Sequence, residues 1–187
     1  NIPKLSDLPE HYILFVGNRD QYKDADILLR AFATFAKEFT ETTLLFVGGG
    51  DFTTKEFKLM QSLGITQRVS QISLPDAEMS SAYCNSLFTV FPSRFEGFGL
   101  PALESMASGT ATILANATSL PEVGGDAALY FESGDVSDLT QKMITLAEDQ
   151  GLNNQLAQAG VTQAARFSWA KCAVETAAVY QATLSGN

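Results

Sequence analysis

The chain has 187 residues, 45% of them hydrophobic, which is enough for one domain with a sizeable core and too few for a second. Its 12 Lys and Arg stand against 21 Asp and Glu, a net charge of −9; affinity for a nucleic-acid backbone needs clustered cations, so the balance argues against a nucleic-acid surface. The longest apolar runs are strand-sized, which leaves no membrane-spanning helix and makes any membrane association peripheral or carried by sequence outside the chain. The opening Asn1-Ile2-Pro3 lacks Met and shows no targeting segment, as expected of an excised fragment or a processed terminus.

In chain order, short apolar runs alternate with segments of helical periodicity, the pattern of an α/β doubly wound, Rossmann-like parallel sheet with helices on both faces. Tyr12–Val16 reads as the first strand. A helix over 26–39 follows, with Ile27, Leu28, Ala31, Phe32 and Phe35 on its buried side. Thr43–Val47 is the second strand, and Gly48-Gly49-Gly50 turns the chain into a helix opened by Thr53 and Glu56, a Thr-x-x-Glu capping box. Val69–Ile72 is the third strand, Pro75-Asp76 begins a short helix through Tyr83, and residues 87–91 form the fourth strand. A helix over 100–108 carries Glu104, with Pro101 near its start and Gly109 just past its end. Residues 112–114 are the fifth strand, 116–126 a loop containing Ser119-Leu120-Pro121-Glu122, and Leu129–Phe131 a short last strand. Asp135 caps a helix through Glu148, 152–165 makes another, and Trp169–Leu184 a terminal amphipathic one.

In open parallel sheets ligands bind outside the carboxyl ends of the strands, near the point where strand order reverses. Three features gather there: Gly17-Asn18-Arg19 with Lys23 after the first strand, residues 48–50 after the second, and the run from Glu96 to Glu104 after the fourth. The last is the most informative. A Gly-rich turn feeding a helix leaves backbone N–H groups free for an anion such as phosphate, and Glu96 in the turn with Glu104 one to two helical turns inside spans a ligand. Neither G-x-x-x-x-G-K-[ST] nor G-x-G-x-x-G occurs to compete. The remaining residues read blandly. The single His11 is structural or solvated, and Cys84 and Cys172 lack metal-ligand spacing and suit reduced thiols with packing roles. The Phe residues and Trp169 are core and helix-packing residues, and Glu122 supports the site loop or caps it.

The motifs Phe15-Val16-Gly17 with Arg19 and Lys23, Phe46-Val47-Gly48-Gly49-Gly50, Pro92-Ser93-Arg94-Phe95-Glu96-Gly97-Phe98-Gly99-Leu100-Pro101, Glu104-Ser105-Met106-Ala107-Ser108-Gly109, Ser119-Leu120-Pro121-Glu122-Val123 and Phe167-Ser168-Trp169 occur in an order that resembles the retaining GT-B glycosyltransferases of group 1, also called family four. The resemblance covers nearly the whole chain. It implies one half of a GT-B fold, the C-terminal donor-binding half, with the acceptor carried by an N-terminal half outside the chain. It further implies that Arg19 and Lys23 contact the donor pyrophosphate, that Glu96 holds the transferred sugar, and that Glu104 bonds the ribose hydroxyls. Gly17 and Gly49 join the donor-binding set, the backbone amides of Phe98, Gly99 and Leu100 meet the sugar and distal phosphate, and the segment ending at Leu74 lies beside the base. The chain departs from the pattern in the tight spacing of Arg19 and Lys23, in Ser105 where Ala is usual and in Ala111 where Pro is usual, the last two conservative in effect.

The expected function is transfer of a hexose from a nucleotide-sugar of the GDP-mannose or UDP-hexose type to a glycan or lipid-linked acceptor. The isolated domain is expected to be inactive. Fixed cations and a helix N-terminus aimed at the departing diphosphate stabilise its charge, so no cofactor and no metal is expected. Glu96 orients sugar hydroxyls and is not a nucleophile, since no partner carboxylate stands at glycosidase spacing. The competing readings are a non-catalytic nucleotide- or glycan-binding module and a sugar-nucleotide epimerase-like enzyme on a similar sheet. A cytoplasmic or peripheral location follows from the same pattern, and the resemblance implies that the terminal helix packs across the missing half.

Overall fold

Six strands form one parallel sheet in the order β3-β2-β1-β4-β5-β6: β1 (Tyr12–Val16), β2 (Thr43–Val47), β3 (Val69–Ile72), β4 (Phe88–Phe91), β5 (Thr112–Ala115) and β6 (Leu129–Phe131). The structure, a computed structural model, describes residues 5–184, so Asn1, Ile2 and Pro3 lie outside it. The four inner strands are largely apolar and almost wholly buried because both of their faces are covered, with Thr43, Thr89 and Thr112 the polar exceptions. Register follows from that patterning, with Leu14 beside Leu45, Val16 beside Val47 and Ile13 beside Phe88.

The helices are α1 (Ala25–Phe35), α2 (Thr54–Leu63), α3 (Asp76–Cys84), α4 (Leu100–Ala107), α5 (Leu120–Gly124), α6 (Val136–Glu148), α7 (Gln150–Ala164) and α8 (Trp169–Leu184). One layer packs α1 against α2 and α6, and a second packs α4 against α3, α5 and α7. The doubly wound, Rossmann-like sheet with helices on both faces is thus present. Strand order reverses between β1 and β4, whose carboxyl ends therefore frame the switch point.

Several boundaries differ from the sequence reading. Helix α1 stops at Phe35, not 39: the amides of Lys37 and Glu38 turn back only three residues, to the carbonyls of Thr34 and Phe35, and the Phe39 ring stacks on that of Phe35 at 4.2 Å. The expected loop over 116–126 contains α5, with Pro121 in its first turn. Ser119 does not cap it; its hydroxyl is spent elsewhere. Ser105 is more than a neutral replacement for Ala: its buried hydroxyl lies 2.6 Å from that of Thr89 and 2.9 Å from that of Thr112, tying α4 to β4 and β5. Helix α8 forms where expected but buries none of its residues, and Trp169 is 78% exposed, so within this chain that ring is not part of the core. Cys84 and Cys172 are free and exposed, which removes the packing role assigned to them.

Candidate functional site

The connection after β1 leaves the sheet at Gly17 (φ 131°), makes a 3-10 turn over Gln21–Lys23, and enters α1 through Asp24, a non-glycine residue at φ 53°. The turn places the Lys23 ammonium 2.6 Å from Glu96 Oε1, across the switch point, with both side chains nearly buried. Arg94 stitches the same two connections together. Its amide donates to the Tyr22 carbonyl at 2.8 Å, and its Nε donates to the buried Asp24 carboxylate at 2.6 Å. Asp24 is thus held in its left-handed conformation by a partner on the opposite loop, a role with no local sequence signal.

The turn after β4 is clamped from the far side. The Glu96 amide donates to the Thr118 hydroxyl at 3.0 Å, and the Ser119 hydroxyl donates to the carbonyls of Glu96 at 2.9 Å and Phe98 at 3.1 Å. Thr118 sits at φ 47°, a strained geometry for a β-branched residue that aims its hydroxyl at the turn. Gly99 starts α4 at φ 98°, where a Cβ would stand 3.0 Å from Leu120 Cδ2. The amides of Gly97, Phe98, Gly99 and Leu100 meet no protein acceptor among the described residues. Four adjacent unpaired donors at a helix N-terminus, with Lys23 alongside, make a strongly anion-directed surface. One turn further in, Glu104 Oε2 accepts a hydrogen bond from the Tyr83 hydroxyl at 2.9 Å while the residue itself stays exposed. Tyr83 is buried, and burial together with the Glu104 charge pushes its phenol well above the ordinary tyrosine value, so it remains a donor. The Phe98 ring meets Phe167 edge-on at 5.7 Å.

Arg19 takes a different place. Its Nε donates to Glu56 Oε1 at 2.7 Å, and its terminal nitrogens donate to the carbonyls of Gly48 at 3.1 Å, Gly50 at 2.8 Å and Asp51 at 2.8 Å. The side chain is 4% exposed and its guanidinium lies over the Phe52 ring at 4.7 Å. Burial by itself pushes the Glu56 carboxyl up, but hydrogen bonds from the Thr53 amide and hydroxyl and from Arg19, with the guanidinium charge, outweigh it and hold the group below the ordinary carboxylate value. The Thr53 and Glu56 capping box forms as expected. Between the connections after β1 and β2 lies a cavity of about 520 Å3 that includes Arg19, Gly49, Glu56 and Arg94 in its wall and neither Glu96 nor Glu104.

Of the residues singled out in the sequence, Lys23 and Glu96 meet directly; Phe98, Gly99, Leu100 and Glu104 continue the same turn into α4. Gly49 accompanies Arg19, and Leu74 is half-buried in the connection from β3 to α3. Sequence reasoning missed Asp24, Tyr83, Thr118 and Ser119, all of which act through contacts remote in sequence. Glu122 is exposed in the first turn of α5, and His11 is exposed. Among the described residues no group of three His, Cys, Asp or Glu could hold a metal, and no helix is long and apolar enough to cross a membrane.

A doubly wound parallel sheet with free backbone amides and two carboxylates at its switch point defines a Rossmann-like domain. The family described as glycosyl transferases group 1 matches residues 3–163, and the chain belongs to that family. It is similar to O-antigen chain mannosyltransferase B of Escherichia coli, 30% identical over 91% of this chain and 45% of that one. It is also similar to the D-inositol 3-phosphate glycosyltransferase of Corynebacterium diphtheriae, 33% identical over 89% of this chain and 41% of that one. The chain therefore spans less than half the length of these relatives. Among solved structures, the C-terminal domain of a glycosyl transferase group 1 protein from Francisella tularensis superposes with a TM-score of 0.74 at 25% identity, covering 84% of this chain and 86% of that one. The sucrose-phosphate synthase of Thermosynechococcus elongatus superposes at 0.77 with 26% identity, over 96% of this chain and 47% of that one. The fold is that of the GT-B glycosyltransferase domains.

Proposed function

We propose that the chain is the nucleotide-sugar-binding half of a retaining hexosyltransferase that moves a hexose from a GDP-mannose or UDP-hexose type donor to a glycan or lipid-linked acceptor bound by a second domain. One observation carries the reading: Lys23 and Glu96 are paired at 2.6 Å beside four unpaired amides at the head of α4. A donor diphosphate arriving there exchanges its own negative charge for that of Glu96 as the partner of Lys23. Glu96 is thereby released to accept hydroxyl protons from the sugar. Glu104, with one oxygen held by Tyr83, offers the other to the ribose diol, and the segment at Leu74 lies beside the base. As the bond from sugar to phosphate breaks, charge builds on the departing diphosphate, and the fixed ammonium and helix N-terminus stabilise it without reorganising. On this reading the chemistry runs without a metal or other cofactor. The mannosyltransferase named among the relatives supports a hexose donor.

The test is calorimetric titration of this chain with UDP, GDP and ADP. A similar isolated domain has been crystallised alone, which makes the 187-residue chain a reasonable object for it. Saturable binding of one nucleotide, weakened by Lys23→Ala and by Glu104→Ala, is expected. Binding untouched by either substitution in a folded domain would sink the assignment.

A further inference from the structure

Among the described residues Arg19 is the most heavily bonded cation, and the arrangement around it has a geometric consequence for the loop it holds. In a trans peptide unit the C=O of one residue and the N–H of the next point in opposite directions. The carbonyls of Gly48, Gly49 and Gly50 turn toward the Arg19 guanidinium, at 3.1, 3.4 and 2.8 Å. The amides of Gly49, Gly50 and Asp51 are therefore turned the other way, and none meets a protein acceptor among the described residues. The three glycines have φ of 91°, 74° and 69°, a left-handed run open only to glycine at low cost, and a Cβ on Gly49 would lie 2.8 Å from Arg19 Nη1. Of the five guanidinium N–H groups, four are engaged, by the Glu56 carboxylate and by the carbonyls of Gly48, Gly50 and Asp51.

We infer that Arg19 is a positioning residue that does not touch the donor. It gathers the carbonyls of the loop after β2, so that the amides of Gly49, Gly50 and Asp51 face outward as a second phosphate-directed row, and Glu56 is the fixed anion that keeps it there. The inference rests on the donor-site reading above and gives Arg19 a role different from direct pyrophosphate contact. A guanidinium facing phosphate would leave its N–H fork open to solvent. This one is 4% exposed and paired with a carboxylate that is itself 8% exposed. Lysine could supply the charge at this position but not the planar fork that four acceptors require.

The experiment is a nitrogen-edited NMR titration of the chain with the diphosphate of the preferred base and with its uncharged nucleoside, run on the native chain, Arg19→Lys, Glu56→Gln, the double variant, and Glu104→Ala as a control. The expected result is that the diphosphate shifts the amide signals of Gly49, Gly50 and Asp51 and leaves the Arg19 Nε signal in place. Arg19→Lys and Glu56→Gln should each lower diphosphate affinity by about tenfold, with the double variant no worse than either single and nucleoside affinity unchanged. Native affinity in Arg19→Lys, tighter binding in Glu56→Gln, or an Arg19 signal that moves while the three amides do not, overturns the positioning role. Equal losses for diphosphate and nucleoside mean general damage to the fold and also overturn it. If the diphosphate shifts residues 97–100 and Glu104→Ala weakens it while residues 49–51 stay unmoved, this inference fails and the donor reading stands. If the diphosphate shifts neither row, the donor reading fails and takes this inference with it.

Discussion

The two glycine-rich turns at the carboxyl edge of the sheet treat their cations in opposite ways. After β2 the turn wraps its carbonyls around Arg19, which is walled in by Glu56, Phe46 and Phe52. After β4 the turn keeps its own amides free, is braced from behind by Thr118 and Ser119, and leaves Lys23 with a single carboxylate. The same formal charge thus serves two ends. A cation with five donors and many acceptors is locked into the scaffold, whereas a point-charge ammonium with one partner can change partners when a ligand comes. On the proposed function, the difference separates a part that holds shape from a part that meets the donor.

Five substitutions would break or sharpen that contrast. Arg19→Ala strands the buried Glu56 carboxylate and should cost about 3–5 kcal/mol of folding stability, read from urea unfolding. A loss below about 1 kcal/mol would place Arg19 on the surface in solution. The same ion pair predicts a pH effect. Because Glu56 titrates below its ordinary value of 4.5 in the folded state, its contribution is full above that pH and disappears as pH falls through the lower folded value. Native protein should therefore lose stability more steeply in acid than Glu56→Gln. Lys23→Ala also leaves a nearly buried carboxylate, Glu96, without its partner; it should cost less folding stability than Arg19→Ala, the pair being somewhat more exposed, and about 2.7–4 kcal/mol of transition-state stabilisation in the full-length enzyme, a turnover loss of about a hundredfold or more. Near-normal turnover would remove Lys23 from the chemistry.

Smaller effects test the braces. Gly99→Ala, which forces a Cβ into a left-handed position against Leu120, should cost about 1–2 kcal/mol and misplace the amides of α4, lowering nucleotide affinity together with melting temperature. Tyr83→Phe removes one hydrogen bond to Glu104 and should weaken diphosphate binding by about 0.5–1.5 kcal/mol. That loss should vanish with a 2′,3′-dideoxy nucleotide, since no ribose diol then reads the Glu104 orientation. An equal loss with both nucleotides would reduce Tyr83 to a packing residue.

Much of the architecture was legible from local signals. Short, largely apolar runs at β1, β2, β4 and β5 announced strands covered on both faces, and the capping box at Thr53 and Glu56 announced α2. The turn with Glu96 and Glu104 was legible too, because free amides at a helix start follow from Gly, Pro and spacing alone. Helix α5 was lost among loop residues, since its five residues are too few to show a period and its capping serine faces elsewhere. Ser105 looked interchangeable with Ala until Thr89 and Thr112, from two other segments, closed around its hydroxyl.

What the sequence determined by itself, then, was the order of strands and helices, the place of the switch-point turns and the residue types available there, because apolar period, glycine and capping act over a few neighbouring positions. Only the tertiary structure decided which partner each charge takes. Arg19 and Lys23 stand four positions apart with the same formal charge, yet Arg19 meets Glu56 on α2 while Lys23 meets Glu96 on the connection after β4. That choice depends on two loops brought together by strand order and on the fork of one side chain against the single ammonium of the other, neither of which is written in any short stretch of the chain.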